Sequence, residues 1–170
     1  MRFTSSYMKK TTKVSNSSAV SVITGEGAVN GVQDLKVKEL AKTAYLTGAE
    51  VKTLNGEKAT ALTKVSELGN IEAGAAITLN GEELIKVDAE TTISDVLTAL
   101  KDAGLNASFD ENNQRLFVSA KESGAKNDFT LSGTGMALTA LGLSVKNNGA
   151  TKIAGQDAEI ELNGATFKSS

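Results

Sequence analysis

Hydrophobic and polar residues alternate along much of the first third of this sequence, and glycines separate the alternating stretches. Alternation with a period of two places apolar side chains on one face of a β-strand. The pattern therefore predicts strands near residues 18–24, 31–40 and 43–53. The spacing of Leu35, Glu39 and Lys42 also suits a helix over residues 35–46, but strand is the favoured interpretation.

A Leu-Asn-Gly tripeptide occurs three times, at residues 54–56, 79–81 and 162–164. Asparagine and glycine tolerate the positive φ angles that a type I′ turn requires at both central positions, so each copy is a hairpin signal. The second and third copies follow alternating apolar residues. Their separation is too long for a solenoid repeat, which indicates a hairpin that is used twice.

The clearest helix signal begins after Thr92. Asp95, three residues later, completes a capping box, and Gly104 supplies a stop signal. The apolar positions between these two signals fall at i, i+3, i+4 and i+7 and are Ile93, Val96, Leu97 and Leu100. We therefore predict an amphipathic helix over about residues 93–103, with its apolar stripe packed on a sheet.

The second half of the chain alternates again around polar loops. The predicted elements are a hairpin over residues 105–120 with a polar loop at 110–114, a third strand at Phe129 and Leu131, a short helical turn at 136–143, and a final hairpin over 156–167. The predicted fold class is α+β and mainly β, with two small β-rich lobes, antiparallel hairpins and one clear amphipathic helix. The last strand stops early at Ser169-Ser170, so we expect the chain to be a piece of a longer protein.

Composition limits the chemistry that this chain can perform. The 170 residues include no Cys, His, Pro or Trp, and the aromatic residues are 5 Phe and 2 Tyr. Without thiolate or imidazole groups, the usual nucleophiles, general bases and zinc ligands are missing. We therefore expect no enzyme activity, no catalytic residue, no metal and no other cofactor. The 18 basic and 20 acidic residues are interspersed, so no basic patch is available for nucleic acid or an anionic membrane. We therefore expect neither a nucleic-acid partner nor a membrane partner.

Four short motifs resemble functional sites, and each has a simpler structural interpretation. Gly133-x-Gly135 lacks the other residues of a phosphate loop, so it indicates a turn. The oxygen-rich segment 110–113 lacks the spacing of a calcium loop and fits a solvated hairpin tip. Glu82 and Glu83 are neighbours on a strand and point to opposite faces. The basic cluster Lys9, Lys10 and Lys13 fits a solvated, polar lead-in over residues 1–13.

Residues 75–131 resemble a known module in both order and spacing. The matching segments are Ile77-Thr78-Leu79-Asn80-Gly81, Ile85-x-Val87-x-Ala89, Thr92-Ile93-Ser94-Asp95-x-Leu97-x-x-Leu100, Gly104-x-x-Ala107-Ser108-Phe109, Arg115-Leu116-x-Val118 and Ser123-Gly124-Ala125. They resemble the flagellin hook IN motif, a strand-helix-hairpin module of flagellins and hook-associated proteins. The sequence departs from the family at Leu100-Lys101, where the family often has Ile-Asn.

Two flanking segments are similar to one family within this group. This family is the hook-associated protein 2, or filament cap, family. Residues 37–42 resemble the V-x-x-L-A strand of that family, and residues 154–164 resemble the G-x-D-A hairpin that follows its insert. The resemblance implies a discontinuous β-rich lobe over residues 14–53 plus 150–170. An inserted lobe then spans residues 54–149 and carries the motif. The family's coiled-coil legs have no counterpart here, since no heptad pattern is sustained.

The resemblance implies a structural component of the bacterial flagellum, formed by the outer domains of a cap that oligomerises at the distal tip. Its implied partners are flagellin subunits, whose folding and polymerisation it promotes, and further copies of itself. The implied location is extracellular, with export that needs no cleaved signal peptide. Without legs, the fragment is expected to be mainly monomeric in dilute solution. The interaction surface is not predicted.

Two alternatives remain open at this point. One is a surface-recognition or adhesion module that binds a host glycan or receptor through an aromatic platform, for which Tyr45, Phe109 and Phe129 are the candidates. The other is the outer domain of a flagellin or of another hook-associated protein. The terminal sequences of the full gene distinguish this second alternative from the cap.

Overall fold

The computed structural model describes residues 11–23, 25, 31–146 and 149–170. Residues Met1–Asp34 and Leu35–Ser170 form two compact units, and each is described by itself. Across the described residues, no helix is both long enough and apolar enough to cross a membrane.

The first unit contains a turn where a strand was predicted. The turn lies at residues 17–19, and the backbone N–H of Val20 donates to the Asn16 carbonyl at 3.2 Å. The predicted strand 18–24 is wrong over residues 18–23, and residue 24 lies outside the described residues. Alternation yields a strand only where a partner strand takes up the backbone hydrogen bonds, and the described part of this unit offers none. Lys9 and Lys10 also lie outside the described residues, whereas Lys13 is exposed.

The second unit is mainly β, as predicted. Its helices are α1 (Ile93–Asp102) and α2 (Ala137–Ala140), with 3₁₀ turns at Val65–Glu67 and Ala125–Asn127. Its strands are β1 (Leu35–Glu39), β2 (Thr43–Thr47), β3 (Ala76–Leu79), β4 (Glu82–Lys86), β5 (Asn106–Asp110), β6 (Arg115–Ser123), β7 (Leu131–Gly133), β8 (Thr151–Ile153), β9 (Ala158–Leu162) and β10 (Ala165–Ser169). They form three antiparallel sheets in the orders β1-β9-β10, β5-β6-β2-β8 and β4-β3-β7.

The strand predictions differ from the structure mainly in length. The predicted strand 43–53 ends at Thr47. The Gly48 amide still donates to Leu116 of β6 at 2.7 Å, but the Ala49 amide donates to Gly142, outside the sheet, at 2.8 Å. Strand 31–40 is confirmed over 35–39, so the helical interpretation of 35–46 is wrong. Of the predicted third strand, Phe129 lies outside any strand and Leu131 begins β7.

Helix α1 confirms the predicted capping box. The Asp95 backbone amide donates to the Thr92 hydroxyl at 3.2 Å, and the Asp95 carboxylate accepts from the Thr92 backbone amide at 2.8 Å. The four apolar positions of the predicted stripe are all buried. The helix ends at Asp102, and Gly104 follows with a φ of 91°. Capping fixes where the helix begins, and burial of the stripe holds it against the sheet.

Two of the three Asn-Gly turns are hairpins. The turn at Asn80-Gly81 joins β3 to β4 and the turn at Asn163-Gly164 joins β9 to β10, with positive φ at all four residues. The hairpin prediction for residues 54–56 is wrong. There the Asn55 side-chain oxygen accepts from the Thr53 hydroxyl at 2.7 Å and from the Glu57 amide at 3.2 Å, so this copy forms a local turn in a loop.

The four-stranded sheet β5-β6-β2-β8 forms one wall of the core. Leu46, Leu116 and Val118 point inward from its strands, on the side where α1 packs against β5. Strand β2 comes from the segment assigned to the discontinuous lobe, while β5 and β6 come from the segment assigned to the inserted lobe. The division into 14–53 plus 150–170 and 54–149 stays a prediction.

Candidate interaction surface

The outward face of the β5-β6-β2-β8 sheet is the candidate interaction surface. Because strand side chains alternate, the burial of Leu116 and Val118 forces Phe117 outward, and the burial of Leu46 does the same for Tyr45. Tyr45 is 47% exposed, Phe117 38% and Ile153 50%. We call the middle of this surface the neutral face, and its residues are Tyr45, Thr47, Asn106, Ser108, Phe117, Ser119, Thr151 and Ile153. The same alternation places the charged Asp110, Arg115 and Lys121 on the outward side, at the ends of β5 and β6.

The strand register arranges the neutral face in two rows across the sheet. One row contains Ser108, Phe117, Thr47 and Thr151, and the other contains Asn106, Ser119, Tyr45 and Ile153. A shallow groove of about 260 Å³ lies along β2, β5 and β6. None of the eight residues is charged, although 22% of the chain is. Exposed apolar groups among neutral hydrogen-bonding groups suit a protein or glycan contact better than a charged partner.

The predicted aromatic platform is not assembled as expected. Tyr45 lies on the neutral face, whereas Phe109 is partly buried against the core and Phe129 is 2% exposed. The second exposed ring of this face is Phe117, which sequence analysis did not select. Its position between the alternating apolar residues Leu116 and Val118 is the signal that could have identified it.

Phe129 instead takes part in a charged contact at the edge of the core. The Lys152 ammonium lies 4.7 Å from the centre of the Phe129 ring and donates to the Asp128 carboxylate. Partial burial opposes the charge on Asp128, but hydrogen bonds from Lys152 and from the Phe129 amide outweigh it and lower the pKa of this carboxyl. These contacts hold β8 beside the segment that precedes β7, so we assign them a structural role.

The three-stranded sheet β1-β9-β10 carries a separate charged surface. Lys38 contacts Glu161 at 2.8 Å, and Lys168 contacts Glu159 at 3.2 Å. The hydrogen bond from Lys38 lowers the pKa of Glu161, and the same bond raises the pKa of Lys38. Because acidic and basic groups pair across the strands, this surface has little net charge to attract a charged partner.

The remaining motifs show no assembled chemical site. Asp110 accepts hydrogen bonds from the amides of Asn112 and Asn113 at 2.9 and 3.1 Å, which is the geometry of a hairpin loop. Glu82 and Glu83 are exposed on β4. In the Gly133-x-Gly135 turn, the Thr134 hydroxyl accepts a hydrogen bond from the backbone amide of Ala76 at 3.1 Å. Within the described ranges, no group of three or more acidic residues could hold a metal ion.

We expect acid to destabilise the protein. Between about pH 5.5 and 8 its stability should change little, because the chain has no histidine to titrate in that range. Amide donors from Glu90 and Thr92 lower the pKa values of Asp88 and Asp95 respectively. A carboxyl whose pKa is lowered by folding stabilises the protein above its unfolded pKa, about 4, and loses that contribution as the pH falls through the folded value. Thermal unfolding should therefore show a melting temperature that declines below about pH 5.

The control for this prediction is Asp95→Asn. It removes one titrating group from the cap of α1, so it should lower the melting temperature at pH 7 and flatten the decline in acid. A melting temperature that rises on acidification would contradict the assignment of these carboxylates as stabilising groups.

Comparison with solved structures finds a protein of similar fold. No family model matches the chain, and no curated protein matches it. The fold is similar to the crystal structure of the D2-D3 domains of the flagellar cap protein FliD from Serratia marcescens, with a TM-score of 0.58 and 23% sequence identity. The match covers 87% of this chain and 82% of that chain. The resemblance to cap-protein outer domains is confirmed at the level of the fold, and the hook IN motif at 75–131 stays a prediction.

Proposed function

We propose that this chain forms the outer domains of a filament cap protein and is a structural component of the bacterial flagellum. The observation that carries the proposal is the fold, which is similar to cap-protein domains over 87% of the chain. The residue pattern at 75–131 and the flanking segments 37–42 and 154–164 support the same family independently of the fold. In this role the protein oligomerises at the distal tip, outside the cell, and is exported without a cleaved signal peptide.

The proposed mechanism makes and breaks no covalent bond, so the protein acts without catalytic residues or cofactors. Its sheets act as a scaffold, and flat surfaces such as the neutral face contact neighbouring subunits. Flagellin subunits arriving at the tip are the second proposed partner, and the cap promotes their folding and polymerisation. A contact surface without charge favours weak, reversible contacts, because no buried ion pair has to be broken when subunits rearrange.

Gene replacement in the organism that encodes this chain tests the proposal. A strain that lacks the gene should export flagellin into the medium and carry no filaments, and the full gene should restore filaments. A version without residues 54–149 should fail to restore them, with immunoblots showing that the shortened protein is exported. Normal filaments in the strain that lacks the gene would contradict the proposed function.

A second candidate function is surface recognition, and the exposure of Tyr45 and Phe117 on one face favours it. Flat surfaces with two rings among hydroxyl and amide groups can stack on neutral sugars. Glycan-array binding by the chain should then disappear in Tyr45→Ala and Phe117→Ala and persist in Phe109→Leu. Binding that survives both substitutions would exclude the neutral face as the recognition site.

A further inference from the structure

The sheet β1-β9-β10 stands apart from the core of the second unit. None of the residues in its three strands is buried, and none belongs to the hydrophobic core that the other two sheets share with α1. Among the described elements of Leu35–Ser170, no helix or strand of that core makes an extensive contact with these strands. We call this sheet the small sheet, and residues 43–153 the main body. Burial of apolar surface therefore does not fix the position of the small sheet.

Two short segments carry the chain between the small sheet and the main body. Residues 40–42 lead from β1 to β2, and residues 154–157 lead from β8 to β9. Lys42 and Gln156 form an antiparallel bridge with N···O distances of 2.8 and 3.0 Å, which ties the two segments together. We call the two segments the joint. Hinges in proteins are a few residues of this kind, at the ends of elements, where the backbone angles can change.

The turn that follows β6 holds the joint against the main body. The Ala125 backbone amide donates to the Asp157 carboxylate at 2.7 Å, and the Gly124 amide donates to the Lys42 carbonyl at 3.1 Å. Gly155 lies so close to this turn that an added Cβ atom would collide with the Gly124 carbonyl oxygen. The absence of a side chain at Gly155 therefore lets the joint and the turn approach backbone to backbone.

Asp157 is the side chain that links this turn to the small sheet. It lies directly before β9, and its Oδ1 atom accepts from a backbone amide of the main body. A hydrogen bond to a carboxylate is charge-assisted, so it is stronger than a bond between neutral groups. This bond is also in contact with water, so it can open without exposing apolar surface. It can therefore hold the sheet in place and still be reversible.

We propose that Asp157 and Gly124-Ala125 form a latch that sets the angle between the small sheet and the main body. When the bond between Asp157 and Ala125 opens, the small sheet swings about the joint while both parts stay folded. The backbone bridge across the joint keeps its two segments together, so the motion is the bending of a two-stranded ribbon. The swing redirects the exposed side chains of the sheet, such as Val37 and Phe167. The inference rests on the joint alone and does not depend on the proposed function.

Double electron–electron resonance tests the latch, because the chain has no cysteine and spin labels attach only where one is introduced. Labels at the exposed positions Lys101→Cys on α1 and Thr166→Cys on β10 measure the distance between the main body and the small sheet. With the latch intact, this pair should give one narrow distance distribution. Asp157→Ala removes the acceptor and should make the distribution about twice as wide or more. Asp157→Asn keeps a side-chain oxygen and should leave the distribution narrow.

A second label pair and a second variant make the result specific to the joint. Labels at Lys101→Cys and Thr151→Cys both lie in the main body, so their distance should stay the same in every variant, with an unchanged circular dichroism spectrum. Gly155→Ala presses a Cβ atom against the Gly124 carbonyl oxygen and should shift the mean distance of the first pair.

Three results would overturn the proposal. One is a first-pair distribution in Asp157→Ala that is as narrow as with the latch intact, because the angle would then be set by other contacts. Another is a distribution that is already as wide before Asp157 is replaced, because the latch would then hold nothing. The third is equal broadening of both label pairs, because the loosening would then not be confined to the joint.

Discussion

Replacing Leu116 by Ala should lower the free energy of unfolding by about 3 kcal/mol, within the roughly 2 to 5 kcal/mol found for large-to-small changes in a core. Leu116 lies in β6, the longest strand, and is 0% exposed. Its truncation removes apolar contacts and leaves a cavity that the paired neighbours in β2 and β5 cannot fill without shifting the sheet. Urea unfolding followed by circular dichroism measures the change.

The adjacent substitution Phe117→Ala is the matched control. It removes a larger side chain from the same strand, but this side chain points outward and is 38% exposed. We therefore expect the free energy of unfolding to fall by less than about 1 kcal/mol. Equal losses at the two positions would contradict the assignment of inward and outward faces, and with it the neutral face itself.

Replacing Gly142 by Ala should have a comparably large effect, about 3 kcal/mol or more. Gly142 has a φ of 68°, and a Cβ atom there would lie 2.7 Å from the Ala49 carbonyl oxygen. The left-handed backbone costs an alanine roughly 1 kcal/mol. Relieving the collision also moves Ala49, whose amide donates to the Gly142 carbonyl at 2.8 Å, and losing a buried hydrogen bond costs about 1 to 3 kcal/mol.

Gly74→Ala separates the two causes. Gly74 has a φ of 79°, but an added Cβ meets no atom within 4 Å. We therefore expect only the backbone cost of roughly 1 kcal/mol. A Gly142→Ala variant that is no less stable than Gly74→Ala would show that the loop carrying Ala49 does not pack against α2 and its C-terminal turn as described.

Local signals in the sequence predicted the local elements well. The helical spacing after Thr92, its capping box and the Asn-Gly turns at 80–81 and 163–164 each depend on neighbouring residues, and each is confirmed. The hairpin prediction for residues 54–56 failed because the Asn55 side chain forms hydrogen bonds within the loop. The strand prediction failed over residues 18–23 because alternation alone does not supply a partner strand.

Long-range pairing is the part that the sequence could not predict. No pattern in β2 indicates that it lies between β6 and β8, or that β1 pairs with β9 more than 100 residues later. The candidate interaction surface follows from this pairing, since it brings Tyr45, Phe117 and Ile153 together. Long-range packing also decides the position of Phe129. As an aromatic residue it was a candidate for the exposed platform, but the fold buries it beneath Lys152.

We propose that this protein lies at the tip of a flagellum, and immunogold electron microscopy tests this proposal most directly. Antibodies raised against residues 35–170 should label intact flagella at the distal end only, and the label should be absent from a strain that lacks the gene. Label along the whole filament would indicate a flagellin outer domain, and label at the hook-filament junction would indicate another hook-associated protein. Either pattern would contradict the cap assignment.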